Sequence, residues 1–181
     1  MLLGVIVACE VGFWVVLTAG LAARYLLRRP RLGAALLVCV PLIDLVLLAA
    51  TVVDLRRGAV ATFAHGLAAA YLGFSVVFGH SMIRWADQRF AYHFAGGPPP
   101  WRPPTGGWAR ARYEWREWAK ALLAWAIACA LLGIAVLAVD DPTRTGQLVA
   151  WMPRLTAAVV IWFVAFPLWA TLFPRKESAR M

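Results

Sequence analysis

Four residues able to do acid–base or ionic chemistry lie within long apolar stretches of the chain: Glu10, Asp44, His65 and Arg154, with Asp54 at the end of the second stretch. Glu or Asp beside His is the composition of a proton-handling or binding site, and an intramembrane ionisable residue is a functional candidate by default. Each such group costs about 2.5–3.5 kcal/mol at the middle of a membrane helix. Pairs facing a bundle interior offset much of that cost. The expected arrangement brings Glu10 or Asp44 to Arg154 and bonds His65 to the other carboxylate, with Thr51 and Thr62 extending the network and Asp54 at its mouth. His65 would titrate near neutral pH, and a buried carboxylate could be raised into the same range. The competing reading is a polar network that fixes helix register and takes no substrate.

Helices must position these groups. Apolar runs cover 3–27, 33–53, 58–79, 121–139 and 148–173, and about 20 apolar residues cross a ~30 Å hydrocarbon core. Backbone groups in lipid need internal hydrogen bonds, which makes these runs helices. With 62% hydrophobic residues, a mean hydropathy of +0.71 and 181 residues in all, the chain reads as one integral membrane domain. The expected fold is an all-α polytopic bundle of five transmembrane helices with a cytoplasmic interfacial amphipathic helix.

The net charge of +9 follows topology. Fourteen Lys and Arg fall in the connections after the first and third spans and in the tail, against three in the other connections. Basic loops stay cytoplasmic, so the N-terminus is expected outside and the C-terminus inside, in a bacterial inner membrane. On that orientation Glu10 lies about 12 Å below the outer start of its helix, Asp44 about 15 Å below Asp54, and His65 and Arg154 about 10 Å in. All four share one layer. The first helix is expected to insert without a cleaved leader, since no basic region precedes a short apolar core.

The long third connection divides into a helical continuation at 81–94, a Pro/Gly linker at 95–107 and an amphipathic helix at 108–120. Trp108, Trp115 and Trp118 fall on one face of that helix and Arg110, Glu114 and Arg116 on others, a pattern suited to the membrane interface. Gly66, Ala69, Ala70 and Gly73 give the third span a small-residue face for close packing. Pro41, Pro153 and Pro167 each leave the carbonyl four residues back without its donor.

Other chemistries fit poorly. His65 and His80 are about 22 Å apart on one helix, the wrong placement for haem, and His65, Glu10 and Asp44 alone do not make a zinc set. Cys9, Cys39 and Cys129 have no partners at redox or metal spacing. Neither a phosphate-binding loop nor a nucleophile elbow occurs. No cofactor, metal or nucleic acid is expected. The partners implied are the lipid bilayer, anionic headgroups on the cytoplasmic side, and a protein partner or second copy of the chain.

Several motifs are distinctive as a set: Glu10-Val11-Gly12-Phe13-Trp14, Pro41-Leu42-Ile43-Asp44, Asp54-Leu55-Arg56-Arg57-Gly58, Phe63-Ala64-His65-Gly66-Leu67-Ala68, Arg84-Trp85-Ala86-Asp87 and Phe173-Pro174-Arg175-Lys176-Glu177. Together they resemble the YmcC-like family of small bacterial inner-membrane proteins. The resemblance implies a bacterial multi-pass membrane protein and carries over no catalytic role. The leading expectation is therefore a non-enzymatic, envelope-associated accessory component. The alternatives are a small proton-coupled transporter using Glu10, Asp44 and His65, and an intramembrane enzyme acting on a lipid or isoprenoid.

Overall fold

The computed structural model describes residues 2–25, 27, 29–94 and 96–173, with the side chains of 2–10, 13, 17, 30, 38, 40, 41, 43, 44, 47, 51, 86, 90 and 94 outside the described set. The helices are α1 (Leu2–Tyr25), α2 (Pro30–Arg56), α3 (Phe63–Phe94), α4 (Gly107–Val139) and α5 (Pro142–Phe163). A π-helical turn, Val164–Leu168, joins α5 to a last α-helical turn, α6 (Trp169–Leu172). One end of the bundle carries the short α2–α3 and α4–α5 connections and is called the turn end. The other carries the α1–α2 and α3–α4 connections and is called the linker end.

Among the described residues, three helices are long and apolar enough to cross a membrane: Phe63–His93, Gly107–Val139 and Pro142–Leu172. Their outer surfaces carry large apolar side chains, including Ile134, Leu137 and Ile161. Water would oppose such a surface, and lipid would not.

Backbone proximity sets the packing. α1 and α2 form a hairpin closed by N–H bonds from Leu27 to Ala22 and from Arg29 to Ala23, with Pro30 starting α2 where its missing donor is harmless. A Cβ on Gly33 would stand 2.6 Å from Arg24 Cβ and 2.7 Å from the Gly20 carbonyl oxygen, so this hairpin is tightest at its closed end. α3 sits against α2, α4 and α5, through the small-residue face expected for it. A Cβ on Gly73 would stand 2.5 Å from the Ala124 carbonyl oxygen, and one on Gly66 would fall inside the Trp151 indole. The main apolar core lies toward the turn end, where Leu55, Leu132 and Leu148 are completely buried.

α3 continues unbroken to Phe94, as expected for 81–94. The segment 108–120 differs from expectation. It is the N-terminal part of a single 33-residue helix running to Val139, not a separate element. No proline occurs between 104 and 142 and no glycine between 107 and 133, so nothing breaks the helix before 121–139. Its buried stripe is Ala111, Glu114, Ala121, Ala124, Ala128, Leu132 and Ala135. Small residues there let its neighbours approach.

Pro167 lies within the π turn. It cannot donate to the Phe163 carbonyl, and π geometry moves the donor one residue further along the chain.

Gly66→Ala should therefore destabilise the detergent-solubilised protein by ~1–3 kcal/mol through overpacking against Trp151. Gly133→Ala, where a Cβ meets nothing within 4 Å, should leave the thermal midpoint unchanged or higher. Equal midpoints for the two variants would contradict the contact.

Candidate functional site

The turn end gathers most of the polar residues singled out in the sequence. Its two connections are bound to each other. The Ala61 N–H donates to the Arg144 carbonyl at 2.8 Å, and Arg144 Nη1 donates to the Leu55 carbonyl at 3.3 Å. Arg56 Nε donates to the Ala138 carbonyl. Below them, Trp151 Nε1 donates to the Phe63 carbonyl at 3.1 Å, with the two rings 4.7 Å apart.

His65 is half-buried and faces backbone. Its Nδ1 accepts the Thr62 N–H at 3.0 Å, and its own N–H approaches the Thr62 carbonyl at 3.3 Å. The imidazole makes one half of a capping box, in the place usually held by Glu or Gln, while the Thr62 backbone carbonyl rather than its hydroxyl takes the His65 N–H. Asp54, also half-buried, lies close enough for its charge to act on the ring. Arg154 is exposed, with its guanidinium carbon 5.8 Å from the Phe63 centroid and 5.9 Å from that of Trp151. Among the described residues it meets no carboxylate. The side chains of Glu10 and Asp44 lie outside the described residues, so the four-residue layer has two members that can be placed, His65 and Arg154. Both stand against Phe63 or its neighbours. Among the described residues no three His, Cys, Asp or Glu side chains gather as a metal site.

Between α4 and α5, Asp141 opens the second helix. Its Oδ1 accepts from the Thr143 N–H at 3.0 Å and the Thr143 hydroxyl at 2.6 Å, and its Oδ2 pairs with Arg144 Nε at 2.9 Å. The bonds from Thr143 hold this carboxyl below the usual carboxylate range, with help from the charge of Arg144.

At the linker end, two acidic residues that the sequence reading placed in no site have definite roles. Asp87 of α3 accepts from Arg24 Nε at 2.6 Å and from the Tyr25 hydroxyl at 3.0 Å, tying α1 to α3. Glu114 is buried and paired with Arg110 one turn earlier on α4. Arg110 and Glu114 were expected only on the polar faces of 108–120; the burial of Glu114 depends on where the last turns of α5 and α6 lie. Trp115 and Trp118 also turn to that segment. Their indole N–H groups donate to Thr171 Oγ1 and the Val159 carbonyl, both at 3.1 Å. Trp108, Arg112 and Arg116 are exposed.

Long apolar helices with small-residue contacts, outward-facing hydrophobic side chains and indole bonds between helices define an α-helical integral membrane protein. The chain is 41% identical over 175 residues, 96% of its length and 93% of the relative's, to a Bacillus subtilis (strain 168) protein named "Uncharacterized membrane protein YmcC". It belongs to that YmcC-like membrane protein family. No family model matches the chain, and no solved structure matches it.

Two outcomes follow from this geometry. His65→Ala should cost ~0.5–2 kcal/mol in unfolding free energy, the range for a lost helix cap. His65→Asn, which keeps an acceptor, should recover most of it; equal loss in both would show that capping is not what His65 does. Asp141 has a depressed folded pKa, so its contribution is present above the ordinary value of 3.8 and fades as pH falls through the lower folded value. Asp141→Asn should lower the Tm at pH 7, and the difference from wild type should shrink as melts move below pH ~4. A constant difference across that range would contradict the assignment.

Proposed function

We propose that the protein is a five-span, non-enzymatic accessory component of the bacterial inner membrane, N-terminus out and C-terminus cytoplasmic, whose linker end engages the anionic cytoplasmic leaflet. The charge arrangement at that end supports the reading. Each described acidic residue there has its own basic partner: Asp87 with Arg24, Glu114 with Arg110 and Glu117 with Lys120. Arg84, Arg89, Arg102, Arg112 and Arg116 remain exposed. They are interleaved with exposed Trp85, Trp101, Trp108 and Trp115. Trp and Arg together suit the headgroup layer, and each basic residue close to an anionic surface contributes about 1 kcal/mol.

The Pro/Gly linker is folded onto this face. The Trp101 N–H donates to Gln88 Oε1 at 3.3 Å, the Trp101 ring lies 5.6 Å from Tyr113, and Arg89 stacks on Trp85. Its aromatic side chains therefore stand beside the arginines.

Single cysteines introduced at Pro103 and Thr143 in a chain lacking Cys9, Cys39 and Cys129 test the orientation. In intact cells an impermeant maleimide should label position 143 and spare 103. Labelling of 103 from outside would overturn the topology. In reconstituted vesicles, Arg112→Gln with Arg116→Gln should weaken enrichment of phosphatidylglycerol around the protein, and unchanged enrichment would remove the proposed contact with the leaflet.

A further inference from the structure

A cavity of about 210 Å3 lies at the linker end between the start of α4 and the π turn and α6. Its polar wall includes Glu114, Arg110 and Thr105, and its aromatic wall is Phe166, Trp169 and Phe173. Glu114 is 5% exposed. One of its oxygens, Oε1, pairs with Arg110 Nη2, and among the described residues no hydrogen bond reaches Oε2. A buried carboxylate oxygen left without a donor is costly. Its surroundings call for a ligand that brings an N–H.

The same cavity also offers donors. Gly106, which precedes α4, has no side chain to cap the first-turn N–H groups, and Thr105, Gly106 and Gly107 line the wall. Arg110 reaches the Pro104 carbonyl at 3.3 Å as well as Glu114, which holds its guanidinium at this rim. Uncapped helix N–H groups beside a guanidinium favour an oxyanion. An anion alone would sit against Glu114, and a cation alone against Arg110. A zwitterion with a short spacer satisfies both.

The aromatic wall narrows the class. Trp169 and Phe173 are 4.6 Å apart and more than half exposed, so they face the surroundings of the bundle and can flank an ammonium. The volume is below the ~300–1,000 Å3 of drug-sized sites and suits a headgroup. A second opening, apolar and about 140 Å3, lies between α3, α4 and α5, lined by Phe78, Ala121, Ala124 and Trp162. Ala121 follows Glu114 by seven residues on the buried stripe of α4, so two helical turns, about 10 Å, separate the openings along that helix. On the other side the Trp162 ring lies 6.4 Å from that of Phe166, which lines the first cavity.

We propose that the cavity and crevice hold one aminophospholipid, with its primary ammonium donating to Glu114 Oε2 between the aromatic rings, its phosphate at Arg110, Thr105 and the start of α4, and an acyl chain along the α3–α4–α5 crevice. The assignment does not depend on which leaflet the linker end faces.

Native mass spectrometry of the full-length protein in detergent, offered equal amounts of phosphatidylethanolamine, phosphatidylcholine and phosphatidylglycerol with identical chains, tests it. Phosphatidylethanolamine should be retained at least tenfold more tightly than either competitor. Choline carries the charge but no N–H for Oε2, and phosphatidylglycerol places a net negative charge beside Glu114. Glu114→Gln should weaken retention at least tenfold. Ala170→Phe, which fills the cavity and keeps the Glu114–Arg110 pair, should do the same and carries the test if the first variant does not fold. Equal retention of all three lipids, or unchanged phosphatidylethanolamine retention in a folded variant, would overturn the proposal. Free phosphoethanolamine should bind far more weakly than the lipid; equal binding would overturn the acyl-chain assignment.

Discussion

Trp151 packed on Gly66 is the contact on which the rest of the bundle depends. Lipid tails are as apolar as leucine, so membrane helices gain little by hiding hydrophobic surface from one another. What remains is close van der Waals contact and hydrogen bonding away from water. At Gly66 the absent side chain leaves room for an indole, and the indole N–H reaches the Phe63 carbonyl in the same turn of α3. That one side chain sets the spacing of α3 and α5, provides half the aromatic surface under Arg154 and adjoins the buried Leu148 and Leu55. Gly73 against Ala124 repeats the device between α3 and α4, and Gly33 against Gly20 repeats it between α1 and α2.

Indole bonds carry the same logic along the α4–α5 seam. Trp118 donates to the Val159 carbonyl, Trp125 to Thr156 and Trp115 to Thr171. Thr156 and Thr171 in turn donate to the Met152 and Pro167 carbonyls of their own helix, each four residues back. A Thr hydroxyl can therefore give its proton to the backbone and accept the indole N–H, leaving neither group unsatisfied in a medium without water. With Trp151, four of the ten tryptophans are thus cross-braces between helices among the described residues, whatever their depth.

Much of this was legible in the sequence, and the failures have physical causes. The apolar runs and the small face of α3 gave the helices and their central member, because both signals are local. The break expected at 120 was not local: a change from amphipathic to wholly apolar composition marks a change of surroundings, and a helix without Pro or Gly passes through it unbroken. The carboxylates expected beside His65, Glu10 and Asp44, have side chains outside the described residues; what spacing did not show is that its Nδ1 serves the α3 N-terminus, where the nearest unsatisfied N–H is three residues away. Glu114 was assigned to the polar face of 108–120 because a helical wheel cannot show that a partner crosses that face. The ion pair of Asp87 with Arg24 joins residues 63 apart, which spacing alone does not reveal.

The π turn links the α4–α5 seam to the cavity at the linker end. Proline within a membrane helix forces a local choice between a kink and a wider turn, and around Pro167 the chain takes the wider turn. An extra residue per turn rotates everything after it by roughly 100° relative to an uninterrupted α-helix. Trp169, Ala170 and Phe173 lie beyond that rotation and line the cavity with Glu114, while Thr171, also beyond it, meets Trp115. In register with the rest of α5, those side chains would face elsewhere. The cover over Glu114, the aromatic wall and the last indole brace therefore share one origin, the missing N–H of Pro167.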